Sequence, residues 1–274
     1  KLSPLCKYGI SAYDQKIIEE VIPGVNGGKY SIRDVQKMYQ KFVDEYLEEK
    51  IPDVIHAHDW LTYEAGVLAK KKTGRPLIAH VHATEFDRSG MKTGNPLIHE
   101  IEYQGLIYAD RIIAVSENTR QIIHKKYKIP LNKIEVAYNS LGDDFLKNEY
   151  NLAQDQYNYF LQKKTSGYTL ISTVGRFTVQ KGLYNMMYGA AKAVLKNPKL
   201  LFIFAGDGEQ KNELIELSAK LGISDNVFFT GFVRGRKLRD IYELSDIFIM
   251  SSISEPFGLT ALEAAHHKTA LIIT

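Results

Sequence analysis

The 274-residue chain carries a single cysteine, Cys6, and a single tryptophan, Trp60. One thiol excludes an internal disulfide and fits a reducing compartment, so a cytoplasmic protein is expected. Excess charge is also scarce: 35 Lys and Arg face 32 Asp and Glu, a net charge of +3. That balance gives no argument for a nucleic-acid partner, and no basic stripe with interleaved aromatics is evident. Lys70-Lys71-Lys72 and Lys125-Lys126 read as solvated helix faces. No apolar run reaches the roughly 18 residues that a membrane span needs, and no signal peptide is visible. An Asp-x-Asp metal motif is missing at the strand ends. The sequence starts at Lys1 and stops at Thr274 inside the apolar run Ala270-Leu271-Ile272-Ile273. A piece of a longer protein is expected, with both domains incomplete.

What is present reads as an α/β chain long enough for two domains with real cores. Apolar runs at 53–58, 77–82, 111–115 and 133–138 read as strands. Helical periodicity fills 30–50, 62–72, 95–109 and 117–127, the last with Ser116 as its N-cap. A polar, Tyr-rich stretch at 143–167 reads as a linker with a short helix. A second series follows, with strands at 169–174, 200–205, 227–230 and 246–250 and helices at 183–195, 210–221, 236–244 and from Leu259 on. Such alternation predicts two doubly wound, Rossmann-like domains, residues 1–142 and 143–274, each built on a parallel sheet. Ligands of such sheets bind at the carboxyl ends of the strands.

The polar residues collect at those ends. Arg176 follows one strand and Lys181 precedes the next helix, so the two can converge on an anion at a helix entrance. Gly206-Asp207-Gly208 is a glycine-rich strand-to-helix turn that permits close backbone approach. In Ser254-Glu255-Pro256-Phe257-Gly258-Leu259-Thr260-Ala261-Leu262-Glu263-Ala264, Pro256 and Gly258 suit a helix entrance. Glu255 then lies in the loop at its mouth and Glu263 about two turns further in. A capping Glu and an ordinary surface Glu explain the same spacing. In the first half, His56, His58, Asp59 and Trp60 close one strand, and His80 and His82 the next. Two His-x-His pairs invite a zinc reading, since alternate strand residues face one way. Trp60 and Leu61 stand where a zinc hydrolase motif needs Asp and His, so no metal site is expected and each His reads singly as packed or hydrogen-bonded.

The 254–264 string resembles the E-x7-E signature of retaining nucleotide-sugar glycosyltransferases of family 4, the group with the GT-B fold that includes glycogen and starch synthases. The strand end at 53–60 is similar to the HAHDW string of those synthases, and Val174-Gly175-Arg176-Phe177-Thr178-Val179-Gln180-Lys181-Gly182 resembles their diphosphate-binding Arg/Lys pair. The resemblance implies that Glu255 lies by the donor sugar, with His82, Arg176 and Lys181 as the other catalytic residues. Glu263 would bind the ribose. Gly206, Asp207, Gly208, Val233, Phe257, Gly258, Leu259 and Thr260 would line the donor nucleotide, and Asp59 and Trp60 the sugar or acceptor.

The implied reaction moves a hexose, with glucose expected, from a nucleoside diphosphate to a glycan or sugar acceptor, with no cofactor and no metal. The stretch 83–90 departs from the bacterial glycogen synthase pattern, which leaves the acceptor open. The family's first glycine-rich loop is not found. A sugar-nucleotide-binding fragment without turnover and a zinc-dependent hydrolase remain as alternatives. A glycan phosphorylase would need a pyridoxal phosphate lysine, and no recognisable motif carries one.

Overall fold

A computed structural model describes residues 31–142 and 158–274. Residues 143–157 of the expected linker, and residues 1–30, lie outside the described residues. The chain divides into two compact units. One runs up to Glu85 and resumes over Gly94–Tyr138; the other takes Phe86–Thr93 together with the chain from Asn139 on.

The first unit holds α1 (Ile32–Glu49), β1 (Ile55–His58), α2 (Asp59–Thr73), β2 (Leu77–Val81), the start of α3 (Glu85–Arg88), α4 (Pro96–Tyr108), β3 (Arg111–Ala114), α5 (Glu117–Tyr127) and β4 (Ile134–Val136). Its sheet is parallel, in the order β1-β2-β3-β4, with His58 opposite His80 and His80 opposite Ile113. Helix starts are set by side-chain acceptors. Ser31 and Asp34 form a capping box, Asn95 accepts from Leu97 N ahead of Pro96, and Ser116 caps α5 as the sequence predicts. Residues alternate along β1: Ile55 and Ala57 are buried, while His56 and His58 are exposed on the other face.

The second unit holds α6 (Asn158–Thr165), β5 (Thr169–Val174), α7 (Leu183–Lys196), β6 (Leu200–Ala205), α8 (Lys211–Lys220), β7 (Val227–Gly231), α9 (Arg236–Leu244), β8 (Ile247–Met250), α10 (Leu259–His266) and β9 (Ala270–Ile273). Its parallel sheet runs β7-β6-β5-β8-β9. Alternate residues of the two central strands feed separate cores. Ile171, Phe202 and Phe204 pack with Met186, Met187 and Leu214 on one face. Leu170, Leu201 and Ile203 pack with Phe160, Ile241 and Leu244 on the other. Both faces are covered, which is why β6 reads as a continuous apolar run; β5 also buries Ser172, whose hydroxyl accepts from Ser245 Oγ at 2.8 Å. From β5 the chain builds outward through β6 to β7, then returns to place β8 on the opposite side of β5. The carboxyl ends of β5 and β8 are therefore a topological switch point, where a doubly wound sheet leaves an open crevice.

Candidate donor site at the β5/β8 switch point

Two loops meet in that crevice. The loop after β5 carries Gly175, Arg176 and Phe177, then a short 3-10 turn (Val179–Lys181) and Gly182 before α7. The loop after β8 carries Ser251 to Gly258 before α10. They are stitched together by backbone and side-chain bonds. Ile253 N donates to Gln180 O at 2.8 Å, Gln180 Nε2 donates to Ser254 O at 3.1 Å, and Ser251 Oγ donates to Lys181 O at 3.0 Å. Gly182 adopts φ 62°, and a Cβ there would overlap the Ser251 carbonyl oxygen. Only glycine fits that backbone and that approach. The loop after β6 is locked in the same way: a Cβ on Gly206, at φ 147°, would overlap the Gly175 carbonyl.

This scaffold brings Lys181 and Glu255 into a partly buried ion pair, Nζ to Oε2 at 2.7 Å. Ser252 Oγ donates to the same carboxylate oxygen at 2.8 Å. Gly175, Arg176, Lys181, Ser251 and Ser252 line one small pocket. Arg176 is exposed at its rim and has no ion-pair partner among the described residues. Gly258 precedes α10, so the free N–H groups of that helix entrance lie on the Glu255 side of the crevice. Two cations on one small pocket, with the Glu255 carboxylate paired to one of them and a helix entrance following it in the chain, suit a phosphate ester of a polyhydroxylated group.

The other expected donor residues are more dispersed. Asp207 pairs with Lys211 at 2.7 Å and accepts from Gly208 N at 2.9 Å; the Lys211 bond holds its carboxyl below the usual range. Val233 is half-buried against the α6/α9 core. Phe257 and Thr260 are half-buried, and Leu259 is exposed. Glu263 accepts a hydrogen bond from Tyr242 Oη at 2.6 Å, and burial pushes its carboxyl up despite that bond. Glu263 is thus no ordinary surface helix residue.

In the first unit, Asp59 takes a left-handed backbone, φ 55°, at the β1–α2 junction. Its Oδ1 accepts from His82 N at 2.7 Å, tying the ends of β1 and β2. Strain of this kind persists where the surroundings impose it and is concentrated at working sites. His82 is held a second time, by His58 Nδ1 to Nε2 at 3.0 Å. Trp60, expected with Asp59 to line the sugar or acceptor, is 4 % exposed and packs in the core of the first unit. Sequence reasoning passed over Gln180, Ser251 and Ser252. The signal available was the polar run Ser251-Ser252-Ile253-Ser254 between an apolar strand and Pro256.

Similarity to known proteins agrees with this geometry. Residues 11–144 match the Glycosyltransferase Family 4 model, and residues 158–274 match the Glycosyl transferases group 1 model. With the two doubly wound units, these matches define the class: a GT-B glycosyltransferase resembling glycogen synthase. An uncharacterised glycosyltransferase of Methanocaldococcus jannaschii is 29% identical over 272 residues, covering 93% of this chain and 68% of the relative. Glycogen synthase of Mycobacterium tuberculosis is 26% identical over 224 residues, 81% of this chain, which spans about half, 51%, of that relative. The Anabaena protein HepE, crystallised with UDP and glucose, shares the fold with a TM-score of 0.70 at 19% identity, over 85% of this chain and 62% of HepE. Among the described residues no helix is long and apolar enough to cross a membrane.

Proposed function

We propose that the protein transfers a hexose from a nucleoside diphosphate sugar to a hydroxyl of a glycan or small sugar, with retention of anomeric configuration and glucose as the sugar. The observation that carries this reading is the Lys181–Glu255 pair in the switch-point crevice, with Arg176 beside it. In the reaction the bond between the anomeric carbon and the diphosphate oxygen breaks, and its electron pair leaves with the phosphate. The acceptor oxygen bonds to the same carbon, and its proton ends on the departing phosphate or in solvent. The difficulty is charge separation between an oxocarbenium-like sugar and the diphosphate. Arg176, Lys181 and the α10 entrance oppose the developing negative charge. Fixed cations of this kind take the part that a metal ion plays elsewhere, so no metal or cofactor is required. Glu255 holds sugar hydroxyls and Glu263 the ribose.

Glycogen synthase among the relatives, and a fold neighbour crystallised with UDP and glucose, support a glucose donor. Calorimetric titration with UDP-, ADP- and GDP-glucose, run on the parent chain and on Lys181→Ala, tests the reading. One of the three should bind the parent and lose at least about tenfold in affinity in the variant, the scale of one charge-assisted bond. Absence of binding by all three, or equal binding by both proteins, would contradict it.

A further inference from the structure

Three imidazoles of the first unit, His56, His58 and His80, are not explained by sugar transfer. His56 and His58 alternate along β1, so they share one face, and the ladder places His80 of β2 directly opposite His58. One ring nitrogen from each of the three lies within 4.8 Å of the other two. The rings form a layer: His56 to His58 at 4.3 Å between centroids, His58 to His80 at 5.0 Å, and His56 stacked on His80 at 5.3 Å. Both ring nitrogens of His80 are shielded from solvent and have no hydrogen-bond partner. An imidazole left without a partner on either nitrogen loses free energy unless something else satisfies it. A groove of about 340 Å³ along β1, walled by Tyr39, Val43 and Tyr46 of α1, opens onto His56 and His58.

We infer that His56, His58 and His80 form a binding site for a divalent transition-metal ion of the zinc type. Imidazole is a preferred donor for Zn²⁺, Ni²⁺ and Cu²⁺, and three histidines leave one position open for water or a small ligand. With Zn–N bonds of about 2.0–2.1 Å, tetrahedral donors stand about 3.4 Å apart, so the three nitrogens need only close inward by side-chain rotation. His56 and His58 are exposed, which leaves room for that rotation. His58 also bonds to His82, which gives the ion an outer partner that orients a ligating ring. The sequence alone hides the site because each His-x-His pair supplies only two donors, and the third comes from the register between strands. The site is built from the first unit alone and stands whether or not the chain transfers sugar.

The untagged chain, stripped with a chelator, is titrated with Zn²⁺ and with Co²⁺. One equivalent of each should bind, and Co²⁺ should give the visible absorption of a low-coordinate site. His58→Ala and His80→Ala should each weaken binding at least about tenfold, since even changes outside the ligand shell reach that scale. His58→Asn and His80→Gln, which keep polarity and size, should do the same while thermal unfolding shows the chain folded. His266→Ala/His267→Ala should leave affinity unchanged. No stoichiometric binding in the parent, or affinity insensitive to the Asn and Gln variants, would overturn the site.

Discussion

The two sheets of this protein are built from the same strand type and differ in where they keep polar groups. In the second unit the two faces of the central strands feed apolar cores, and Arg176, Lys181 and Glu255 stand between the carboxyl ends of the strands and the helices that follow. In the first unit the polar groups stand within the strands, with His56, His58 and His80 on one face and Asp59 at the end. The first arrangement places groups on loops fixed by a rigid core, where a ligand replaces water at the sheet edge. The second gathers donors on the sheet face itself, at spacings set by the ladder. One serves an extended polyanion and the other a small ion.

The largest expected effect breaks the crevice alone. Lys181→Ala and Glu255→Gln should each lower transfer on the order of 10²–10³-fold, the scale for a preorganised electrostatic contact. Rates measured on the parent and the variants check it, and unaltered rates would remove both residues from the machinery.

Gly182→Ala sharpens the comparison by attacking the scaffold instead. A Cβ at φ 62° meeting the Ser251 carbonyl should destabilise the second unit by about 2 kcal/mol or more, read from denaturant unfolding. An unchanged midpoint would mean that the two loops are not locked at this position.

Tyr242→Phe should cost about 1–3 kcal/mol, because it leaves the half-buried Glu263 without its hydroxyl donor. The pH dependence follows from Glu263. Its folded-state carboxyl is raised, so the protonated form stabilises the fold at acid pH, and that contribution is lost as pH rises through the raised value. Glu263→Gln should therefore gain stability relative to the parent as pH increases from below the ordinary carboxylate range toward neutrality. Thermal midpoints across that range check the sign; a gain at acid pH instead would contradict it.

The smallest effect concerns metal. A strong chelator should leave transfer unchanged, since Arg176 and Lys181 supply the positive charge. Loss of activity on chelation, restored by Zn²⁺, would move the histidine layer into the reaction.

Much of this was legible in the sequence because local and tertiary signals agree. The run 169–174 is β5 to the residue, and 117–127 is α5 with its Ser116 cap, since pattern and capping chemistry coincide there. The convergence of Arg176, Lys181 and Glu255 was readable from strand ends and a known signature. Two things were not. The burial of Trp60 depends on how α2 packs, which its position after a strand does not reveal. The histidine layer depends on register: a one-residue slip of β2 against β1 would turn His80 to the other face, and nothing local in the sequence encodes that choice.

The proposed function requires that the donor diphosphate bind at the β5/β8 switch point and not at the first unit's histidines. Calorimetric affinity for the free nucleoside diphosphate, compared between Arg176→Ala/Lys181→Ala and His56→Ala/His80→Ala, tests it most directly. The first variant should lose at least about a hundredfold, two charge-assisted contacts' worth, and the second should bind as the parent does. Parent-like affinity in the first variant, or loss confined to the second, would contradict it.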